Sequence, residues 1–168
     1  IISRDSYLVY SSMYPSVIAR SISLQQSLID ISSLANSAKV SFIRSEVKDI
    51  QFNNQKIILN DRSSIPYSKV ILNCGTSSKV SQEFKDLVKQ NIACPIRPFL
   101  QSYQFIKNED AFNNQNELPF VIIGSGLGAI EIAFALRKRW QSRKLILACH
   151  PIKISRKFLI SLDTFNIE

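Results

Sequence analysis

The sequence is poor in the residues from which metal centres are built. It has one histidine, His150, and three cysteines, Cys74, Cys94 and Cys149. No two cysteines form a Cys-x-x-Cys pair, and with a single histidine the set has no ordinary zinc spacing. Odd in number and far apart, the cysteines read as small buried hydrophobes of a reducing, cytoplasmic compartment. No apolar run approaches the length of a bilayer span. The opening Ile1-Ile2-Ser3-Arg4-Asp5 has neither the basic start nor the apolar stretch of a secretory signal. It also has no initiator methionine, and Ile1-Ile2 reads as the end of a buried strand, so an earlier segment is expected. Acidic residues are missing from one stretch. Positions 132–162 carry Arg137, Lys138, Arg139, Arg143, Lys144, Lys153, Arg156 and Lys157 and no carboxylate. The other 13 of the 21 basic residues balance the 13 acidic ones, so the whole net charge of +8 resides there. Such a cluster suits a nucleic acid, an acidic surface or a phosphorylated ligand, or it is a solvated helix end. No recognition helix, stacking platform or known motif accompanies it, so nucleic acid is not expected.

What is present fits a soluble globular chain. At 168 residues, 45% hydrophobic and 20% charged, it has room for one domain or parts of two. Tyr7 to Pro15 has no period and reads as a loop. Ser27 to Ala38 carries a helical stripe. Val40 to Ile43 reads as a short strand, and Glu46 to Phe52, the turn Asn53-Asn54 and Lys56 to Leu59 read as a β-meander. Val70-Ile71-Leu72-Asn73 is a continuous apolar run of the kind found in strands buried on both faces. Ser81 to Gln90 and Phe99 to Asn108 read as helices, separated by the breaker Pro95-Ile96-Arg97-Pro98. The polar Asn113 to Glu117 marks a boundary. Beyond it, Phe120 to Ile123 is a strand, Leu127 to Trp140 a helix and Leu145 to Ala148 a second strand.

That last series encloses Gly124-Ser125-Gly126-Leu127-Gly128-Ala129 between strand and helix, the context a dinucleotide fingerprint requires. Gly124 permits the tight turn out of the strand. Gly126 leaves the backbone open to a pyrophosphate, and Ala129 is small enough for helix to pack on strand. The first amides of the helix then face the phosphates with the favourable end of its dipole. NAD-binding units commonly place a carboxylate at the end of the next strand to hold the adenine ribose. Here that strand ends in Ala148-Cys149-His150, with Lys153, Arg156 and Lys157 beyond. Either these cations receive a 2′-phosphate, favouring NADP, or the site is weak or vestigial.

Val121 to Ala133, with Glu131 on the family's glutamate, resembles the NAD(P)-binding segment of the pyridine nucleotide–disulfide oxidoreductase superfamily. Ile65 to Thr76 is similar to the segment with which that family closes its FAD domain, although Ser68 replaces an aspartate and Asn73-Cys74 replaces Ala-Thr. Tyr10-Ser11-Ser12-Met13-Tyr14-Pro15 resembles a loop of type II NADH dehydrogenase-like proteins, some of which occur fused to selenide, water dikinase. The resemblance implies an α/β, Rossmann-like FAD/NAD(P)-binding fold in partial form. It divides the chain into a partial FAD-binding domain over 1–97, a connecting helix and linker over 98–117, and the first half of an NAD(P)-binding domain over 118–168. It further implies a first strand and glycine turn before Ile1 and a Gly-Asp segment after Glu168.

By the same resemblance the cofactors are FAD and NAD(P). Gly124, Ser125, Gly126, Leu127, Gly128, Ala129 and Glu131 hold the nicotinamide dinucleotide. Val47, Cys74 and Gly75 lie near FAD, and Tyr10 to Met13 near the flavin ring. The Cys-x4-Cys pair of the family's disulfide reductases is absent, which turns the expectation toward hydride transfer through flavin to a quinone or another small acceptor. No catalytic acid or base is expected. The alternative is a non-catalytic nucleotide-binding or regulatory module, serving a fused or associated enzyme. The chain is expected to be a fragment with little turnover, to self-associate through open sheet edges, and at most to touch a membrane peripherally.

Overall fold

A computed structural model of the chain describes residues 1–78, 80–112, 118–149 and 156–168, the side chains of 156–159 excepted. The fold is mixed α/β with small sheets. It separates into two compact units, one formed by Ile1–Tyr10 and Leu28–Thr76, the other by Ser11–Ser27 and Ser77–Glu168. Compactness therefore groups residues 11–27 with the later part of the chain, whereas the sequence division runs in chain order. The polar stretch 113–117, taken as a boundary, lies outside the described residues, as do His150 and Lys153.

The first unit holds three sheets. Strand β1 (Ile2–Ser3) runs parallel to β4 (Ile43–Arg44), and β2 (Tyr7–Val9) antiparallel to β3 (Leu28–Asp30). Strands β5 (Val47–Gln51), β6 (Lys56–Leu59) and β7 (Ser64–Pro66) pair antiparallel in chain order, with a register shift between Val47 and Asp49. Several sequence readings are corrected here. Tyr7 to Pro15 is not a loop: it contains β2, a 3-10 turn over Ser11–Met13 and helix α1 (Tyr14–Ile18), in which Pro15 occupies the first turn, where a missing N–H costs nothing. The helical stripe from Ser27 is interrupted. Asp30 accepts hydrogen bonds from the amides of Ser32 (2.9 Å) and Ser33 (3.2 Å), which caps helix α2 (Ile31–Ser37) and releases Leu28–Asp30 to pair as β3. The short strand near residue 40 is shifted to Ile43–Arg44, and β1 is half-exposed, with Ile1 54% accessible. Val70 to Asn73 forms no strand. Among the described residues no strand pairs with it, and Ile71 is 92% exposed.

The second unit is built as its sequence pattern suggests. Helices α3 (Gln82–Lys89) and α4 (Phe99–Glu109) occupy the expected stretches. Strand β8 (Phe120–Ile123) runs parallel to β9 (Leu145–Ala148) in the register Phe120 to Leu145 through Ile123 to Ala148, and helix α5 (Leu127–Arg139) connects them. A last helix, α6 (Arg156–Thr164), leads to Ile167, which bridges Leu145 in parallel. The core clusters Ile130 and Ala133 of α5, Leu147 of β9, Leu162 of α6 and Ile167, with Ala129 and Phe134 packed against them. Leu136, Ala133 and Leu145 are fully buried and Trp140 is 1% exposed. Burial at 130, 132, 133, 135 and 136 covers one broad side of α5, leaving Glu131 and Lys138 in solvent.

Candidate functional site

The glycine-rich turn begins where the β8–β9 ladder ends. The amide of Gly124 donates to the Ala148 carbonyl at 3.0 Å, one step beyond the last strand pair. A Cβ on Gly124 would stand 3.0 Å from the Ala129 Cβ, a closer approach than packed side chains ordinarily make. Strand and helix are therefore drawn together at this point, and Ala129 is the small residue that allows it.

Gly126 presents the opposite situation. It is the N-cap of α5, with φ −87° and ψ 167°, a backbone conformation open to any residue. A Cβ there, or on Gly128, would meet no atom within 4 Å. Neither glycine is demanded by packing against the protein, and the space in front of them is free. No side chain caps the helix, and its first turn contains no acidic residue. The first-turn amides of α5 thus form a positive, uncapped end beside a backbone without side chains, an arrangement that fits a pyrophosphate. Leu127 is 65% exposed and Ser125 half-buried; Glu131 is exposed on the same helix one turn later.

The other candidate residues form no comparable cluster: Val47, Cys74, Gly75 and Tyr10 belong to the first unit, Met13 to the second. Val47 opens β5 and is 39% exposed. Cys74 is exposed in the coil after β7, and Gly75 follows with φ +72°, a left-handed conformation that favours glycine. Tyr10 is 51% exposed, Met13 half-buried in the 3-10 turn. Of the cysteines, Cys149 is exposed and Cys94 intermediate, so the reading of all three as buried hydrophobes fails: each lies in irregular backbone, outside the packed faces. Among the described residues no group of histidine, cysteine and carboxylate could hold a metal ion.

The described cations of the basic stretch make structural contacts. Arg137 caps the end of α5, its Nη1 donating to the carbonyls of Trp140 (3.1 Å), Gln141 (3.1 Å) and Arg143 (2.8 Å), while Nε and Nη2 reach Phe165 and Asn166. Arg139 is bidentate on Asp110, through Nε at 2.8 Å and Nη2 at 2.6 Å, with its side chain 3% exposed. Trp140 Nε1 donates to the same carboxylate at 2.9 Å, and Arg20 pairs with it at 2.6 Å. Arg143 pairs with Glu109 at 2.8 Å and lies against the rings of Phe120 and Trp140, 5.2 and 4.8 Å from their centroids. Burial by itself would raise the Asp110 pKa; the hydrogen bonds from Arg139, Trp140 and Arg20 outweigh it and hold the carboxyl at about 2. Lys144 pairs with Glu168 at the surface. Arg137 is taken up by the C-terminus of α5, and Arg139 and Arg143 by the Glu109-Asp110 pair; Lys153 and the side chains of Arg156 and Lys157 lie outside the described residues. Sequence reasoning missed Asp110. The adjacent carboxylates Glu109 and Asp110 at the end of α4 were the available signal.

No protein-family profile and no curated protein matches the chain by sequence. Solved structures do match its fold. Sulfide:quinone oxidoreductase of Aquifex aeolicus superposes with a TM-score of 0.71 at 15% identity, over 99% of this chain and 43% of that one. An NAD-dependent persulfide reductase from A. fulgidus gives 0.70 at 12% identity, over 99% and 33%. NDH2 of Plasmodium falciparum in complex with NADH gives 0.67 at 13%, over 99% and 41%. The chain spans between a third and less than half of these proteins. At such identities the likeness establishes the shared fold alone.

Proposed function

We propose that the chain is part of an FAD-dependent NAD(P)H oxidoreductase in which the turn from Gly124 to Ala129 holds the nicotinamide dinucleotide. The supporting observation is the contrast within that turn. Gly124 is required by the protein's own packing, whereas Gly126 and Gly128 face open space at an uncapped helix end. Glycines that packing does not require are explained by a ligand that approaches the backbone. In this reading the amides of Gly126, Leu127 and Gly128 bind the pyrophosphate, and Ser125 and Glu131 stand at the edge of the nucleotide. Val47, Cys74 and Gly75 serve FAD in a portion spanning 1–97, joined through 98–117 to the dinucleotide-binding portion at 118–168. The bound cofactors supply the hydride chemistry; the protein positions them and contributes no acid or base. The acceptor is a quinone or another small oxidant, in keeping with the acceptor named for the A. aeolicus neighbour. No described helix is long and apolar enough to cross a membrane. We place the protein in the cytoplasm, with peripheral membrane contact and homodimer formation as further parts of the proposal.

Calorimetry tests the reading. NADH or NADPH binds the chain saturably, and Gly126→Val, which fits the fold but fills the open space, weakens that binding at least about tenfold. Equal affinity in the variant overturns the assignment. A second reading, a nucleotide-binding module without turnover that serves a fused or associated enzyme, is favoured by one feature: no carboxylate occurs from Leu145 to Ser161, where a ribose partner would stand. Binding of either cofactor without NAD(P)H oxidation, in the protein that contains this chain and carries flavin, selects it. A preference for NADPH over NADH selects the 2′-phosphate role for the cations beyond β9.

A further inference from the structure

Beside the C-terminal turn of α4, within the second unit, lies a solvent-open cavity of about 430 Å³. It is lined by Arg20, Lys107 and Arg139, by the single carboxylate of Asp110, and by the neutral donors Tyr103 and Gln26. The lining also includes Ser21, whose hydroxyl accepts a hydrogen bond from Lys138 Nζ at 3.0 Å, so a fourth cation is held at the rim. The volume falls in the range of small-molecule sites and is far too small for a polymer.

The charge balance decides the class of ligand. Asp110 is fully engaged by Arg139, Arg20 and Trp140, which neutralises its repulsion of an anion. Set against four cations, the one carboxylate leaves an excess of three positive charges around a concave surface, which concentrates anions. Lys107 is exposed and has no acidic partner among the described residues. Arg20 is set in place twice over: its backbone, at φ +57°, closes α1, and its Nη2 is tied to Asp110. A guanidinium anchored at one nitrogen keeps its remaining N–H groups in a fixed plane, suited to two oxygens of one ligand. Gln26 Oε1 is occupied by the Ser23 amide at 2.8 Å, which leaves the side-chain NH2 as the free donor.

We propose that this cavity is a binding site for a small phosphomonoester, with Arg20 and Lys107 carrying the dianion and Tyr103 and Gln26 the surrounding polar contacts. The site is separate from the glycine turn and does not rest on the assignment made there.

Phenyl phosphate is the probe, and Trp140 the reporter. It is the sole tryptophan of the chain, and its indole N–H is bonded to the carboxylate that anchors Arg20. Titration is expected to change its emission saturably, and benzoate, with the same ring and one charge fewer, to bind at least about tenfold more weakly. Lys107→Gln, at an exposed position that the fold does not use, and Arg20→Gln should each weaken phenyl phosphate about tenfold, the worth of one charge-assisted hydrogen bond. Lys56→Gln on β6 and Gly126→Val should leave the affinity unchanged. The proposal is overturned by absence of saturable binding, by benzoate binding as tightly, or by Lys107→Gln retaining wild-type affinity. Weakening in Lys56→Gln would reveal general attraction to a basic protein, and weakening in Gly126→Val would move the phosphate to the turn; either result also overturns it.

Discussion

The two compact units use their charged residues in opposite ways. In the second, charges go inside only where a partner meets them: Arg139 and Arg143 are 3% and 4% exposed, and each is paired with a carboxylate at the end of α4. Apolar side chains stand outside in both units: Phe52 is 65% and Ile71 92% exposed in the first, Leu118 71% and Ile123 66% in the second. Acidic residues of the first unit are used locally. The half-buried Asp30 caps α2, and the exposed Asp61 binds the amide and hydroxyl of Ser63. The second unit is thus held by interactions between elements, the first mainly by hydrogen bonds between neighbours in sequence and by strand pairing. Unfolding followed by Trp140 emission reports the second unit, and backbone dichroism reports both.

The strongest test of that contrast is Asp110→Ala. It leaves the Arg139 guanidinium buried without its partner and deprives Trp140 of its acceptor, and such removals cost about 3–5 kcal/mol. Urea titration should show the loss in the tryptophan transition, and a cost below about 1 kcal/mol would mean that the ion pair only decorates the unit. Asp61→Ala in the first unit should leave both transitions where they are. The pH dependence follows from the same group. Asp110 has its carboxyl held at about 2, against an ordinary value of 3.8. A depressed pKa contributes stability that is complete above the ordinary value and is lost as pH falls through the folded one. The second unit should therefore lose about 2 kcal/mol between roughly pH 4 and pH 2, and Asp110→Asn should flatten the profile in that window.

Smaller effects separate packing from ligand binding within the glycine turn. Gly124→Ala forces a Cβ against Ala129 and should cost about 1–3 kcal/mol. Gly128→Ala, in the first turn of α5 with nothing nearby, should raise stability by about 0.5–1 kcal/mol while weakening dinucleotide binding. Equal costs at the two positions would remove the distinction on which the proposed function stands. Here the sequence was legible, because β8, the turn, α5 and β9 follow one another within 30 residues and each buries its apolar face against the next. Asp110 was not legible by the same means. Its partners Arg20, Arg139 and Trp140 come from α4's neighbours far along the chain in both directions, and no periodicity encodes a pairing at that distance.

Val70 to Asn73 shows the limit from the other side. A continuous apolar run specifies that both faces want cover, but not what supplies it, and a strand exists only where a neighbour completes its ladder. Asp30 teaches the same about α2: the stripe from Ser27 had helical spacing, yet one capping carboxylate moved the start to Ile31 and gave Leu28–Asp30 to a strand. Ile71→Ser measures how far the cover is missing. With Ile71 92% exposed, the substitution should change stability by less than about 0.5 kcal/mol and leave the dichroism transition unmoved. A loss of about 2–5 kcal/mol, the cost of emptying a buried isoleucine site, would show that this run is packed in solution.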